Sequence, residues 1–228
     1  MTSPAQPNRS VIDGLAVLQA VASTPEPVGV RELARLLELE PTRVQRLLGT
    51  LAHLGMTEQD AERKYRPGPG IHVLAAQAMF GSGLLRRAIP LLEDLRPYGF
   101  TVALGVLWRD KVAYLYFASP GTPSAEALGN TQLFPADRSA IGQVLQAMTG
   151  QKRDAVVRRR GYALTQRGVG DCSVAVPVGD PAIAAVALAG NINDPDLEAV
   201  VPALRTAAEG IAADAAGSDV VPPTGSPS

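Results

Sequence analysis

Apolar positions in the first quarter of the chain recur with the spacing of amphipathic helices. Ser10 is a good N-cap for a first helix, one face of which is predicted to carry Val11, Leu15, Leu18 and Val21. A second helix is predicted over Val30–Leu37, with buried positions at Val30, Leu33, Leu36 and Leu37. The segment TPEP at residues 24–27 separates the two helices, because proline disrupts a helix interior.

A third helix is predicted to start at Pro41, a favoured first helical position, and to end at Gly55. Its apolar stripe has near-ideal helical spacing and consists of Val44, Leu47, Leu48, Leu51 and Leu54. Two short strands at residues 56–59 and 64–66 surround a charged turn, and a linker helix at 71–79 follows. This order of three helices, wing and linker helix predicts a winged helix-turn-helix DNA-binding domain.

The remainder of the chain alternates between strands and helices. Helices are predicted at residues 84–95, 139–148 and 197–216, and strands over Thr101–Trp108, Lys111–Ala118 and residues 173–178 and 182–189. The strands form hairpins, which predicts an α+β sensor-like domain whose antiparallel sheet is covered by helices on one face. The predicted organisation is a DNA-binding domain at residues 10–70, a linker helix at 71–83 and a sheet domain at 84–216.

Composition narrows the function classes. The 228 residues are 46% hydrophobic and 4% aromatic, so the chain can bury a core but has few large rings for a deep aromatic pocket. The net charge of −1 excludes a general nucleic-acid coat, although residues 41–70 hold five basic and three acidic side chains. The single cysteine, Cys172, fits a reducing compartment. No apolar run approaches the roughly 18 residues of a membrane span, so a cytoplasmic protein is expected.

The polar face of the third predicted helix carries the candidate DNA contacts Thr42, Arg43, Gln45 and Arg46. Arginine pairs bidentately with guanine and glutamine with adenine, and the start of a recognition helix enters the major groove. Further candidates for contacts to the DNA backbone or minor groove are the wing residues Arg63, Lys64 and Tyr65. The alternative is a plain helical hairpin with a solvated charged face, and the complete order of elements favours DNA binding over it.

Candidates for catalysis and metal binding are weak. Cys172 would need a base to act as a nucleophile, and both histidines, His53 and His72, fall in the predicted DNA-binding half. One cysteine and two distant histidines also lack the spacing of a zinc site. The three arginines at residues 158–160 are interpreted as a solvated helix end, with an extra phosphate or acidic-ligand contact as the alternative. We therefore expect no enzyme activity, metal or cofactor.

Three N-terminal and three C-terminal segments carry a family resemblance. They are VIDGLAVLQAVA, VGVRELARLLELEPTRVQRLLGTLAHLGM and KYRPGP in the first half, and PADRSAIGQVL, RRRGYAL and GVGDCSVAVPV in the second. These segments resemble the IclR family of bacterial transcriptional regulators over about residues 10–216. The resemblance implies a winged-helix domain, a linker helix and a GAF-like effector-binding domain. It also implies a homodimer or tetramer, an inverted-repeat operator and a small organic-acid or aromatic effector.

The resemblance also implies positions for the functional residues. It places the recognition helix at Thr42, Arg43, Gln45 and Arg46, and the effector pocket near Ala140, Ile141, Asp171, Cys172 and Ser173. The chain departs from the family at Asp137, where a histidine is usual, and at Gln143, where a lysine is usual. It also has Ala187 and Ala189 where relatives can present serine hydroxyls to the ligand. Because hydroxyl partners for a carboxylate are lost, these departures favour a more apolar ligand, or none.

Two function classes follow. The first is a sequence-specific DNA-binding transcriptional regulator whose operator binding is modulated by a small molecule in the C-terminal domain. The second is a DNA-binding regulator or architectural protein whose C-terminal domain is a ligand-free oligomerisation or interaction module. The expected partners are double-stranded DNA, further copies of the chain and a small organic or aromatic metabolite, but no membrane. A ligand-induced rise in melting temperature separates the two classes.

Overall fold

The computed structural model describes residues 6–128, 133–150, 154–166, 168 and 170–213. The chain divides into two compact units on either side of the Gly81–Ser82 bond, and each unit has its own apolar core. The predicted α+β class, with a winged helix-turn-helix followed by an antiparallel sheet with helices, is confirmed. None of the helices in the described ranges combines the length and apolarity that a membrane crossing requires.

The N-terminal unit consists of three helices, a two-stranded wing and a fourth helix. The elements are α1 (Arg9–Ser23), α2 (Val30–Leu37), α3 (Pro41–His53), β1 (Thr57–Gln59), β2 (Tyr65–Pro67) and α4 (Pro69–Ser82). Helix α2 has the predicted bounds and α3 starts at the predicted Pro41, whereas α4 starts at Pro69, two residues before the predicted linker helix. The strands of the wing are antiparallel and pair Thr57 with Pro67.

The predicted buried faces of these helices are partly wrong. Val11 and Leu15 of α1 are 56% and 51% exposed, and Leu36 of α2 is 65% exposed. Helix α1 instead turns Val17, Ala20 and Val21 into the core. The rest of that core comes chiefly from Val28, Leu33, Ala34, Val44, Leu48 and Tyr65. Several apolar side chains of α1 and α2 are therefore left at the surface.

Gly68 and Gly70 hold the start of α4 against the turn that follows α3. The N–H of Gly68 donates to the carbonyl of Met56, and the N–H of Gly70 donates to the carbonyl of Gly55, both at 2.9 Å. A Cβ on Gly70 would lie only 2.9 Å from the Gly55 oxygen, and one on Gly68 would lie closer still. A larger residue at either position would therefore push the two segments apart.

The C-terminal unit is a six-stranded antiparallel sheet between helices, in the order β5-β4-β3-β8-β7-β6. Its strands are β3 (Thr101–Trp108), β4 (Lys111–Ala118), β5 (Leu133–Pro135), β6 (Ala163–Gln166), β7 (Cys172–Val178) and β8 (Ala184–Gly190). Its helices are α5 (Leu84–Glu93), α6 (Ala140–Met148), α7 (Ala155–Arg160) and α8 (Asp194–Ala213). The sequence pattern did not predict β5 or β6, and of α7 it predicted only the solvated helix end at residues 158–160. The last three residues of the helix predicted at 197–216 lie outside the described residues.

Helices cover both faces of this sheet, so the prediction of a single covered face is wrong. One face packs against α5 and α8 through Val102, Leu104, Val174, Val186 and Leu188. The other face packs against α6 and α7 through Ala103, Ala175, Ala185 and Ala187. Because neighbouring residues of a strand point to opposite faces, the two cores take alternate positions of the same strands.

Candidate nucleic-acid interface and ligand pocket

The start of α3 and the turn of the wing form one groove, called here the α3–wing groove. Its polar lining consists of Arg31, Thr42, Gln45, Arg46, Glu62 and Arg63. All six side chains are exposed, and three of them are cationic against one carboxylate. The surface therefore combines hydrogen-bonding groups with a net positive charge, as a DNA contact requires.

Arg43 is turned toward α1 instead of this groove. Its Nε lies 2.7 Å from Oδ2 of Asp13, and its side chain is 41% exposed. The contact is an ion pair, since the directions of the two groups do not make a hydrogen bond. Asp13 also lies 3.3 Å from Nε of Arg9, one helical turn away on α1.

Tyr65 belongs to the core of the N-terminal unit and not to its DNA-binding surface. The residue is 3% exposed, and its backbone exchanges hydrogen bonds of 2.8 and 2.9 Å with Val28. Its hydroxyl accepts a hydrogen bond from Nε2 of Gln45 at 3.1 Å. The predicted DNA contact by the Tyr65 side chain is therefore wrong, and this residue instead ties the wing to α3.

The wing presents Arg63 and Lys64 at its turn, where both side chains are exposed. Oδ1 of Asp60 accepts a hydrogen bond from the backbone N–H of Lys64 at 2.8 Å and closes the turn. Arg63 has a φ of 61°, in the left-handed region. Arg66 pairs with Glu58 at 3.0 Å across the wing. Arg63 and Lys64 are consequently the cations that the wing leaves accessible.

The same unit carries exposed apolar side chains that do not line the α3–wing groove. Together they are called the N-terminal apolar surface, and they are Val11 and Leu15 of α1, Leu54 after α3, and Val73, Leu74 and Phe80 of α4. Each of these side chains is more than half exposed, and Phe80 reaches 81%. None of the 14 residues of α4, all described, is buried. Val11, Leu15 and Leu54 line one groove together, and exposed apolar groups gathered in this way mark interaction sites.

The C-terminal unit contains a cavity of about 610 Å³ at the start of α6, called here the α6 cavity. It is lined by Tyr114, Phe117, Phe134, Pro135, Asp137, Arg138, Ser139, Ala140, Thr165, Gln166 and Ser173. These residues come from β4, β5, β6, β7, the turn before α6 and the first residue of α6. The size lies in the range of small-molecule sites.

Aromatic rings and hydroxyl groups share the wall of the α6 cavity. Tyr114 contacts Phe117 and Phe134 edge to face, with ring centroids 5.6 and 5.2 Å apart. The Tyr114 hydroxyl lies 3.1 Å from Oγ of Ser139, which caps α6. The hydroxyl oxygen of Thr165 is buried and has no hydrogen-bond partner in the described part of the chain. A ligand that reaches this oxygen would supply the hydrogen bond that it lacks.

The structure brings some of the predicted effector residues to this cavity and not others. Ala140 and Ser173 line it. Ile141 and Ala187 are buried in the core on the same side of the sheet, and Ala189 pairs with Ser173, which puts it on the same face. Asp171, directly before β7, does not line the cavity.

Cys172 lies on the opposite face of the sheet. It is 7% exposed in the core formed with α5 and α8, and its thiol donates to the carbonyl of Ile192 at 3.4 Å. Since Ser173 faces the cavity, its neighbour in the strand must face away. The structure therefore removes Cys172 from the candidate pocket and leaves it as a small buried side chain.

A polar cluster joins the end of α5 to β4. The Tyr116 hydroxyl donates to Oε1 of Glu93 at 2.6 Å, and the Ser124 hydroxyl donates to Oε2 at 2.9 Å. Arg96 pairs with the same carboxylate at 3.4 Å. The hydrogen bond from Tyr116, aided by Ser124 and Arg96, lowers the pKa of Glu93, whereas burial raises the pKa of Tyr116. The cluster satisfies its own charges and fixes local structure.

The remaining sequence candidates show no further site. Arginines 158–160 are exposed at the end of α7, and Nη2 of Arg205 donates to the carbonyl of Arg160 at 2.7 Å. Within the described ranges, no group of three or more His, Cys, Asp or Glu side chains is arranged to hold a metal ion. Among the described residues, the α3–wing groove gathers exposed cations of the recognition helix and wing, and the α6 cavity gathers aromatic rings and hydroxyl groups.

Sequence comparison identifies the family. Residues 10–61 match the IclR helix-turn-helix domain. The chain is 31% identical over 219 residues to the HTH-type transcriptional regulator BhcR of Paracoccus denitrificans. This alignment covers 82% of this chain and 75% of that protein. The chain belongs to the IclR family of transcriptional regulators. A second relative, the glycerol operon regulatory protein of Streptomyces coelicolor, is 28% identical over 156 residues, 68% of this chain and 61% of that protein.

Solved structures of IclR regulators share the fold. One from a Silicibacter species superposes with a TM-score of 0.75 at 24% identity, over 94% of this chain and 98% of that chain. An IclR homologue from Microbacterium hydrocarbonoxydans, complexed with 4-hydroxybenzoate, gives 0.67 at 22% identity, over 92% and 100% of the two chains. As a member of the IclR family, the protein is a DNA-binding transcriptional regulator.

Proposed function

We propose that this IclR regulator binds an inverted-repeat operator as a homodimer, and that a small molecule in the α6 cavity modulates this binding. Residues 10–70 form the DNA-binding domain, 71–83 the linker and 84–216 the effector domain, of which 214–216 lie outside the described residues. The observation that carries the proposal is the α3–wing groove, where the start of the recognition helix and the wing turn gather exposed cations.

Arg46 is the proposed base contact. It is exposed on α3, lines the α3–wing groove and has no side-chain hydrogen bond or ion pair among the described residues. Thr42 precedes it by one helical turn and suits a phosphate contact. The Gln45 amide uses its N–H₂ on Tyr65, so its carbonyl oxygen remains to accept a hydrogen bond. Arg63 and Lys64 supply the backbone or minor-groove contacts of the wing.

The N-terminal apolar surface supports self-association. Leu15, Val73, Leu74 and Phe80 are each more than half exposed, and a stable monomer rarely leaves so many large apolar groups in water. A homodimer built on this surface has two-fold symmetry, which places two recognition helices on an inverted repeat. Helix α4, which carries Val73, Leu74 and Phe80 of this surface, contributes no residue to the α3–wing groove, so one unit can serve both contacts.

The lining of the α6 cavity indicates the chemistry of the effector. Tyr114, Phe117 and Phe134 suit a flat or apolar body. Arg138 and the start of α6 favour a carboxylate, whereas Asp137 repels one and restricts where it can bind. The hydroxyl groups that Ala187 and Ala189 do not supply come instead from Tyr114, Ser139, Thr165 and Ser173. A small aromatic or short-chain carboxylate is therefore the proposed effector class, and 4-hydroxybenzoate is a suitable first probe.

The proposal is tested by selecting genomic DNA fragments with the purified full-length protein and footprinting the enriched fragments. We expect protection of one inverted repeat. Titration with aromatic carboxylates should then change the affinity for that repeat, because an effector acts only through different affinities for the DNA-bound and free states. Failure to enrich any fragment, with and without these ligands, would contradict operator binding. A ligand that stabilises the protein without changing its DNA affinity would contradict modulation.

A further inference from the structure

We infer that Asp13 of α1 withholds Arg43 from DNA, so that Arg46 alone of the two arginines of α3 contacts a base. This inference rests on the proposed operator binding and deepens it, because it names a specificity-setting residue outside the recognition helix. Asp13 acts through Arg43 and does not itself touch DNA, so it is a positioning residue.

The first support is the burial of the Asp13 carboxylate. Its side chain is 7% exposed, and its oxygens lie 2.7 Å from Nε of Arg43 and 3.3 Å from Nε of Arg9. Arg9 is 76% exposed, and an ion pair with so exposed a partner contributes little. A buried carboxylate that loses its partner is strongly destabilising. Arg43 is therefore the residue that compensates the buried charge.

The second support is the direction of each polar side chain around α3. Residues of a helix are spaced about 100° apart, which puts Thr42 and Arg46 opposite the buried Val44 and Leu48. Arg43 lies on the flank that faces α1, where Asp13 holds it. Gln45 lies on the other flank, where it donates to the hydroxyl of Tyr65. The two flanks of α3 thus contact neighbouring elements, and Arg46 and Thr42 lie on its outward face.

Together these contacts set the energetic preference of Arg43. If its guanidinium moved to a base, the Asp13 carboxylate would remain inside the unit with only the exposed Arg9 as a partner. Asp13 also cancels the charge of Arg43 and so reduces its attraction to phosphates at any sequence. The carboxylate therefore lowers the non-specific part of DNA binding and leaves sequence preference to Arg46.

The test compares four variants of the full-length protein with the wild type: Asp13→Asn, Arg43→Gln, the double variant Asp13→Asn/Arg43→Gln, and Arg46→Gln. Affinities are measured on the selected operator, on single base-pair variants of it and on a scrambled fragment, across a range of salt concentrations. Asp13→Asn should release Arg43, steepening the slope of log K against log salt by roughly one unit and strengthening binding to the scrambled fragment.

The arginine variants should differ in sequence preference. Arg46→Gln should lose discrimination at one or more base pairs by about 5- to 150-fold. Arg43→Gln and the double variant should keep the wild-type pattern of base preference. Loss of a base preference in Arg43→Gln would overturn the inference, as would an Asp13→Asn variant whose salt slope and scrambled-DNA affinity equal those of the wild type.

Thermal unfolding without DNA tests the ion pair itself. Each single change leaves one charge of the pair without its partner, whereas the double variant removes both. We expect the double variant to melt at a higher temperature than the sum of the two single losses predicts. Additive losses would contradict the pairing. This measurement needs no operator. If the wild-type protein selects no DNA, the proposed function is refuted, but thermal unfolding still shows whether Asp13 and Arg43 form an ion pair.

Discussion

Arg46 is the single side chain on which operator recognition is expected to depend most. Its replacement by alanine should weaken operator binding by about 1–3 kcal/mol, because one base contact is lost. Fluorescence anisotropy with a labelled operator measures the change. Arg35→Ala is the matched control, since Arg35 is an exposed arginine at the end of α2 that does not line the α3–wing groove. Equal losses of operator affinity in both variants would show that Arg46 contributes only its positive charge and no base contact.

Glu93 links the stability of the C-terminal unit to pH. Its folded-state pKa is lowered from 4.5, chiefly by the hydrogen bond from Tyr116. Such a carboxylate stabilises the fold above its unfolded pKa, and this contribution is lost as the pH falls through the folded pKa. Tyr116→Phe should therefore lower stability at neutral pH and move acid unfolding to higher pH. Circular dichroism during acid titration checks this, with Tyr98→Phe, an exposed tyrosine, as the control.

The position of single residues in the α6 cavity could be predicted only in part. Strand alternation places Tyr114 and Phe117 on opposite faces, yet both line the cavity. The reason is a register shift in β4 at Leu115, which pairs with neither Leu104 nor Gly105 of β3. No pattern in the sequence predicts that register shift. The error at Cys172 was avoidable, because alternation already separates it from Ser173.

Among the elements, those whose two ends are marked in the sequence, by turn residues or by a change in the apolar pattern, were predicted with accurate bounds. Strands β3 and β4 coincide with their predicted ranges, because apolar runs meet at the Arg109-Asp110 turn. Strands β5 and β6 have three and four residues, which is too short for a periodicity to appear. Helix α7 has six residues, half of them the arginines at 158–160, and so has little apolar pattern. Its assignment depends on contacts within the folded unit.

The exposed face of α1 is the element expected to support the homodimer. Leu15→Glu places a charge in the N-terminal apolar surface, where desolvation would oppose association. The variant should shift from dimer to monomer in sedimentation velocity and lose affinity for the inverted repeat. Leu36→Glu is the control, because Leu36 is even more exposed, at 65%, but lies on α2. Dissociation by both changes, or by neither, would contradict the assignment of this surface.

At the scale of the whole molecule, apolar cores that are not shared between the two units predict two unfolding transitions. Leu48 lies in the core of the N-terminal unit and Leu188 in that of the C-terminal unit, and both are fully buried. Leu48→Ala should lower one calorimetric transition and Leu188→Ala the other, each by about 2–5 kcal/mol of stability. A single transition that both substitutions lower equally would show that the units unfold together.

Ligand binding should act on one of these transitions. A carboxylate effector at 100 times its Kd stabilises the native state by about 2.7 kcal/mol, and this should appear in the transition of the C-terminal unit. Thr165→Val removes the unpartnered hydroxyl of the α6 cavity at constant size and should weaken the shift. Thr206→Val, on the exposed side of α8, is the control. Equal shifts in both variants would exclude Thr165 as a ligand contact.

The two glycines at the start of α4 have a mechanical consequence. Gly68 and Gly70 join the start of α4 to the turn after α3 by direct backbone hydrogen bonds, so we expect α3 and α4 to move together. A tilt of α4 would therefore tilt the recognition helix α3 as well, without any bending of the wing. In the proposed homodimer, an effector would act by changing the spacing between the two recognition helices, and an operator with one fixed half-site spacing would respond to that change.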